Sequence, residues 1–354
     1  MSELRETIDS PIWRIKYRPT SFEEIKPYIP SIANQVHGFI QSNNIPHLLL
    51  VGPEGSGKTV LAEIIARELL VHEFATNYKL LFADDPIGTA ERKAAKKSGH
   101  ISTKRIGSSA GITKRYRVFI QSRVRPFVST KKFGVAPFKI LAVKNFHALT
   151  VEQQGFRRLM EQFTTNCRMI LITDRVSGII DPILSRCQII FVPFMPKPRF
   201  TKFLKTICVR EKIPITLDVI KSIREKAQSN VGKALDLIQL TQLQYGTVSL
   251  ETVAKMIHAM DAKIVTELFN LTLHGTMAGL RKKLREIFTR YAMSKDRILH
   301  ELSKIITHQP LERSLKAFYL VLIAQVDFDS LHANDDEIQL ENLLIQMSMV
   351  GKVV

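Results

Sequence analysis

The sequence predicts a parallel β-sheet wrapped by helices, followed by domains built from helices alone. Three observations carry this. Apolar runs recur at 47–51, 79–83, 138–143, 168–173 and 188–192, with helical stretches between them, an alternation that calls for parallel strands joined by helical crossovers. The first run opens directly into a glycine-rich turn and then a helix. Three prolines fall at Pro193, Pro196 and Pro198, a linker signal, and no strand pattern follows them.

HLLLV at 47–51 is short and continuously apolar, as a strand buried on both faces must be. Leu61 to Leu70 reads as a helix. KLLFA, FKILAV, RMILIT and QIIFV supply the later strands. Beyond the prolines, 199–245 and 250–350 read as two helical regions. In the second, Met277, Leu280, Leu284, Ile287, Phe288 and Tyr291 repeat at helical spacing with cations between them, the pattern of a core-facing stripe. The segment 84–112, rich in Ser, Gly, Lys and Ala, reads as an exposed loop or insertion.

The chain has 354 residues, 45% of them hydrophobic, which suits two or three globular domains. No apolar run reaches the length of a membrane span, and MSELRETIDSPIW at the start lacks the apolar core of a signal peptide. Three scattered cysteines, Cys167, Cys187 and Cys208, form no disulfide framework and fit a reducing, intracellular setting. Ten histidines show no metal-ligand spacing. The net charge is +18. A generic solubility charge would be spread along the chain; here thirteen Lys/Arg against one acid, Glu91, fall between Pro86 and Lys132. That concentration points to a polyanionic partner.

GPEGSGKT at 52–59 fits G-x-x-x-x-G-K-S/T, in the strand-to-helix context that a phosphate loop requires. Its glycines, Gly52, Gly55 and Gly57, let backbone N–H groups of Pro53-flanked Glu54 and Ser56 turn toward phosphate oxygens. Lys58 is positioned to reach the β- and γ-phosphates and Thr59 to hold Mg²⁺ through its hydroxyl, at a helix N-terminus that favours anions. The expected cofactors are ATP and Mg²⁺.

Beyond that loop the chain resembles the replication factor C small subunits of archaea and eukaryotes. The resemblance rests on WRIKYRPTSFEEI (13–25), IPHLLLVGPEGSGKT (45–59), APFKI (136–140), ALT (148–150), FRRLME (156–161), SGIIDPILSRC (177–187), KALDLIQ (233–239), VDF (326–328) and EIQLENLL (337–344). It covers nearly the whole chain outside about 86–110. It implies an α/β AAA+ P-loop domain over 1–195 with a basic insertion at about 86–110, a helical lid over 196–246, and an all-α collar or oligomerisation domain over 247–354. It further implies a clamp-loader hetero-pentamer, the sliding clamp (PCNA) and primer–template DNA as partners, no membrane, and a place in the cytoplasm, nucleoid or nucleus. Lys16, Tyr17, Arg18 and Pro19 correspond to the adenine pocket.

Four positions depart from that family. Where it carries Asp-Glu after the third strand, to hold Mg²⁺ and polarise water, this chain has Lys144 and Asn145. A protonated lysine cannot ligate a cation, and an asparagine cannot take a proton. Asp174 replaces a sensor asparagine and Gly232 a lid arginine. Asp84-Asp85 lies too early in the fold to stand in for the missing pair. By contrast Arg186, in Ser185-Arg186-Cys187, resembles the arginine finger lent to a neighbour's γ-phosphate. The expectation is a subunit that binds ATP with its own hydrolysis impaired. An active AAA+ ATPase with a substituted acid, and a degenerate paralogue that binds nucleic acid outside replication, are the alternatives. Lys114, Arg115, Arg117, Arg123, Arg157 and Arg158 match the family's DNA-tracking surface, where phosphate contacts give affinity without sequence reading. Phe119 and Phe127 flank the region matching its clamp contact.

Overall fold

The computed structural model describes residues 10–86, 88, 89, 91, 118–150, 152–291, 293–329 and 335–351. It divides into two compact units, Met1–Lys212 with Ala227–Asp236, and Ile213–Lys226 with Leu237–Val354.

The first unit is built on five parallel strands: β1 His47–Val51, β2 Tyr78–Phe82, β3 Lys139–Lys144, β4 Cys167–Thr173 and β5 Cys187–Phe191. Their spatial order is β2-β3-β4-β1-β5. Leu48 pairs with Ile170 and Val51 with Thr173; Phe82 pairs with Lys144. Helices α1 Ala33–Gln41 and α2 Lys58–Leu70 pack on one side, and α3 Gln153–Gln162 on the other. The period-two alternation of a strand sorts the apolar side chains between these faces. Leu48, Leu50, Ile140, Ala142, Ile170 and Ile172 meet Leu61, Ile64 and Ile65 of α2. Leu49, Val51, Leu141, Val143, Met169 and Leu171 meet Phe156, Leu159 and Met160 of α3. Both faces are covered, which is why the strands read as unbroken apolar runs. Each such side chain contributes on the order of 1.5–3 kcal/mol by leaving water.

The longer helices that follow are α4 Lys197–Arg210, α5 Leu217–Lys226, α6 Val231–Tyr245, α7 Leu250–His274, α8 Met277–Arg290, α9 Lys295–His308, α10 Arg313–Asp329 and α11 Asp336–Gly351. No strand occurs among the described residues after Phe191. The stretch expected as a separate lid is shared between the units: α4 and the start of α6 belong to the first, α5 and the rest of α6 to the second.

In the second unit, Leu280, Leu284 and Ile287 are buried against Leu268, Phe269, Leu302 and Tyr319, while Met277 at the first position of α8 is exposed. The stripe therefore works as core packing from its second member onward. Asp261 of α7 is 1% exposed and accepts a hydrogen bond at 3.0 Å from Lys226 of α5. Nε of Arg297, on α9, lies 2.5 Å from its other oxygen, within ion-pair range but without hydrogen-bond alignment. A carboxylate so buried requires such partners.

Candidate nucleotide site

The ends of three neighbouring strands assemble the site. The amide of Gly52, just past β1, donates to the Thr173 carbonyl at the end of β4. Gly55 and Gly57 adopt φ of +82° and +92°, a left-handed backbone that glycine alone adopts without cost. A Cβ at Gly52 would lie 2.1 Å from the Val192 carbonyl oxygen, and one at Gly55 would lie 1.9 Å from the Asn230 side chain. The loop is thus pressed between the residue that follows β5 and the residue that precedes α6. Gln228 and Ser229, with φ of 51° and 60°, deliver Asn230 there at a cost in backbone strain. The Asn230 side chain also caps α6, accepting from the Lys233 amide at 3.2 Å.

Lys58 is buried and folds back over the loop, donating to the carbonyls of Gly52 and Pro53 at 2.6 and 2.7 Å. Burial holds its ammonium below the ordinary lysine range; Asp174 and Glu54 oppose that shift, and Lys144 adds to it. Lys144 ends β3, with its ammonium 5.3 Å over the Phe82 ring. Asn145 turns the chain with φ of +57° and donates from Nδ2 to Asp84 at 2.9 Å. Asp84 therefore lies beside the position of the missing acids. However, it follows β2, an edge strand three places from β1, and strand spacing puts it on the order of 14 Å from the phosphate loop.

Asp174 follows β4, next to β1. Its Oδ1 lies 3.0 Å from Nδ1 of His147 and 3.9 Å from Nε of Arg175. The same ring nitrogen of His147 lies 3.1 Å from the Thr173 hydroxyl. Of the side chains at the site, His147 and Asn230 are the two that sequence patterns did not single out. His147 stands one residue before the ALT motif that carried the resemblance, and that adjacency was its one signal.

The opening segment reaches the same unit. The Tyr17 hydroxyl and the Lys16 ammonium both donate to Glu211, at 2.5 and 2.7 Å. Arg18 pairs with Glu63 of α2. Arg14 pairs with Asp236 at 3.1 Å, and its Cδ would meet a Cβ at Gly232 at 2.9 Å. The space an arginine would need at 232 is thus crossed by an arginine from elsewhere in the chain.

The candidate finger, Arg186, donates from Nε and Nη2 to Glu161 at 3.0 and 2.5 Å and from Nη1 to the Pro182 carbonyl at 2.8 Å. Arg186 in turn holds the Glu161 carboxyl below the usual range. Arg157 shares that carboxylate at 3.5 Å. On α3, Phe156, Leu159 and Met160 enter the core and leave Arg157 and Arg158 exposed on the other face. Arg123 is placed differently. Its guanidinium makes two hydrogen bonds to Glu91, at 2.8 and 3.0 Å, donates to the Pro86 carbonyl and stacks on Phe119. Lys114, Arg115 and Arg117 lie outside the described residues. Phe119 is buried, and Phe127 lies under the Lys139 ammonium at 4.1 Å. Both therefore act in packing.

The donor set for a Mg²⁺ ion is poor. Thr59 offers a hydroxyl, but an ammonium replaces the carboxylate opposite it, and Asp174 is engaged by His147 and Arg175. Among the described residues no group of three or more His, Cys, Asp or Glu could hold a metal.

Comparison with known proteins identifies the family of the chain. The family model for AAA ATPases matches residues 48–193, and the replication factor C C-terminal domain model matches residues 260–346. A replication factor C small subunit 1 from Pyrobaculum aerophilum is 31% identical over 97% of this chain and 95% of its own length. The replication factor C small subunit of Archaeoglobus fulgidus is 29% identical, covering 96% and 98%. Among solved structures, Thermotoga maritima RuvB covers 81% of this chain and 85% of its own at 17% identity with a TM-score of 0.47, a likeness too distant to bear on function.

Lys58→Ala should weaken ATP binding by about ten- to a hundredfold, the loss of one charge-assisted hydrogen bond to phosphate, without lowering the melting temperature of the free chain. Isothermal titration and thermal unfolding check this together. Equal affinity in the variant would mean that the loop does not cradle phosphate.

Proposed function

The chain belongs to the replication factor C small-subunit family, and on that premise we propose that it is an ATP-binding clamp-loader subunit whose own site does not complete hydrolysis. The observation that carries the reading is the contrast within one site: an intact phosphate loop faces a strand end bearing Lys144 and Asn145. The loop provides backbone donors, Lys58 and the N-terminus of α2, which together suit a polyphosphate. Hydrolysis needs in addition a base or water-orienting group beside the γ-phosphate. The Asn145 side chain is spent on Asp84 and has no basic lone pair to offer. Asp174, the candidate substitute, is tied to His147, which disfavours the reading as an active ATPase.

In this proposal Arg186 serves the neighbouring subunit. Its partners in the single chain, Glu161 and the Pro182 carbonyl, hold it in an extended, oriented pose at the end of the Asp181–Leu184 turn. On assembly it exchanges the carboxylate for a γ-phosphate, where a planar guanidinium stabilises charge spread over the transferred group. The sharing of Glu161 by Arg157 and Arg186 sets the finger beside the exposed arginines of α3. Those arginines, with Lys114, Arg115 and Arg117, supply phosphate contacts to primer–template DNA. Arg123 is left out of this set because Glu91 already holds it. The sliding clamp (PCNA) and the other loader subunits are the protein partners that the family membership supports.

Arg186→Ala should leave ATP binding by this chain unchanged and slow turnover at one neighbouring site of the assembled loader by up to about 10³-fold. Normal turnover of the loader carrying this variant would remove the finger assignment. On DNA, replacing Arg157 and Arg158 together by Ala should weaken binding to all sequences alike. It should also flatten the log–log salt dependence by roughly 0.9 for each phosphate the protein no longer reaches. Fluorescence anisotropy of labelled primer–template across a salt series reads both; an unchanged slope would show that α3 faces something other than DNA.

A further inference from the structure

The expected Mg²⁺ is at odds with the residues present, and that disagreement is informative. A P-loop cation sits between the loop hydroxyl and a carboxylate at the end of β3, bridging phosphate oxygens. In this chain the corresponding place belongs to a four-carbon ammonium. β3 is two strands from β1, on the order of 10 Å away at the usual strand spacing, and the Lys144 ammonium lies over the Phe82 ring of β2, on the side of β3 away from the phosphate loop.

The nearby carboxylates do not rescue a metal. Glu54 stands exposed on the loop itself. Asp84 is bound by Asn145 and sits at the sheet edge. Asp174 is half-exposed and held by His147. Charge accounting agrees. Relative to the family pattern, Lys144 in place of aspartate adds two positive charges and Asn145 in place of glutamate adds one. Asp174 in place of asparagine removes one. Gly232 in place of arginine removes another, so the four positions together leave the site one positive charge richer, with no carboxylate gained at the end of β3.

We propose that this site takes its nucleoside triphosphate free of divalent cation, because the end of β3 offers an ammonium in place of a carboxylate and Asp84 and Asp174 are engaged by Asn145 and His147. The inference rests on the nucleotide-binding reading above and adds the form of the ligand: the uncomplexed tetra-anion, not the magnesium complex. Metal-free binding also fits a site that holds nucleotide without hydrolysing it, because no ion is present to neutralise charge on the transferring phosphoryl group.

The test is equilibrium binding of a fluorescent ATP analogue to the full-length chain, once in EDTA and once in excess Mg²⁺, for the wild type and for Lys144→Asp. The wild type should bind at least as tightly in EDTA as in Mg²⁺. Lys144→Asp should reverse the order, with Mg²⁺ improving its affinity by about tenfold or more. Lys144→Gln, which removes the charge without supplying a carboxylate, should bind no better in Mg²⁺ than in EDTA and guards against misfolding of the aspartate variant. Wild-type binding that collapses in EDTA would overturn the metal-free assignment while leaving nucleotide binding in place. Binding in neither condition, indistinguishable from Lys58→Ala, would overturn both.

Discussion

The bond between the Gly52 amide and the Thr173 carbonyl, where β1 and β4 run side by side, is the constraint on which the nucleotide site depends. It fixes the phosphate loop against the end of β4, and so against Asp174. Because β4 is paired in turn with β3, it also fixes the distance to Lys144. Parallel strands end together at one edge of the sheet, and the crevice outside their carboxyl ends is where a ligand fits. Everything chemical about this unit is a consequence of which side chains stand at those ends. Moving the register by a single residue would exchange the two buried faces and scatter the site.

What stands there is positive where a hydrolytic site needs negative. Replacing a metal-holding carboxylate by an ammonium alters the local charge by two units, which opposes a bound cation. Binding and catalysis therefore part company on one side chain. The loop's grip on phosphate comes from backbone amides and Lys58, which the substitutions leave alone, whereas the chemistry that would follow depends on residues this chain does not carry. In the proposed reading, the intact Arg186 and the changed strand end fit together: the subunit's own site would hold nucleotide as structure, and its catalytic contribution would be made at a neighbour.

Much of the fold was legible in the sequence because burial on both faces of the sheet forces continuous apolar runs, and those runs marked all five strands to within about a residue. The phosphate loop was legible because left-handed turns demand glycine at fixed places. The rest was hidden for a different reason. Asn230 meets Gly55, Arg14 passes Gly232, and Arg186 reaches Glu161 through contacts between residues far apart in the chain, and no local pattern announces such meetings. Charge counting placed Arg123 with its basic neighbours, yet two acids, Glu91 and Asp85, bind it. A count of charges cannot see which of them are already paired. Phe119 and Phe127 illustrate the same limit for aromatics, since spacing alone does not separate a docking ring from a packed one.

The central claim is that this site binds ATP and stops. It is tested most directly by single-turnover hydrolysis of radiolabelled ATP with the purified chain in excess over nucleotide, at concentrations that saturate binding, beside Lys58→Ala as the background. The account predicts that bound ATP stays intact, at a rate no greater than that of the variant. Hydrolysis of the bound nucleotide that vanishes with Lys58 would contradict it and would require a base in the neighbourhood of Asp174 and His147.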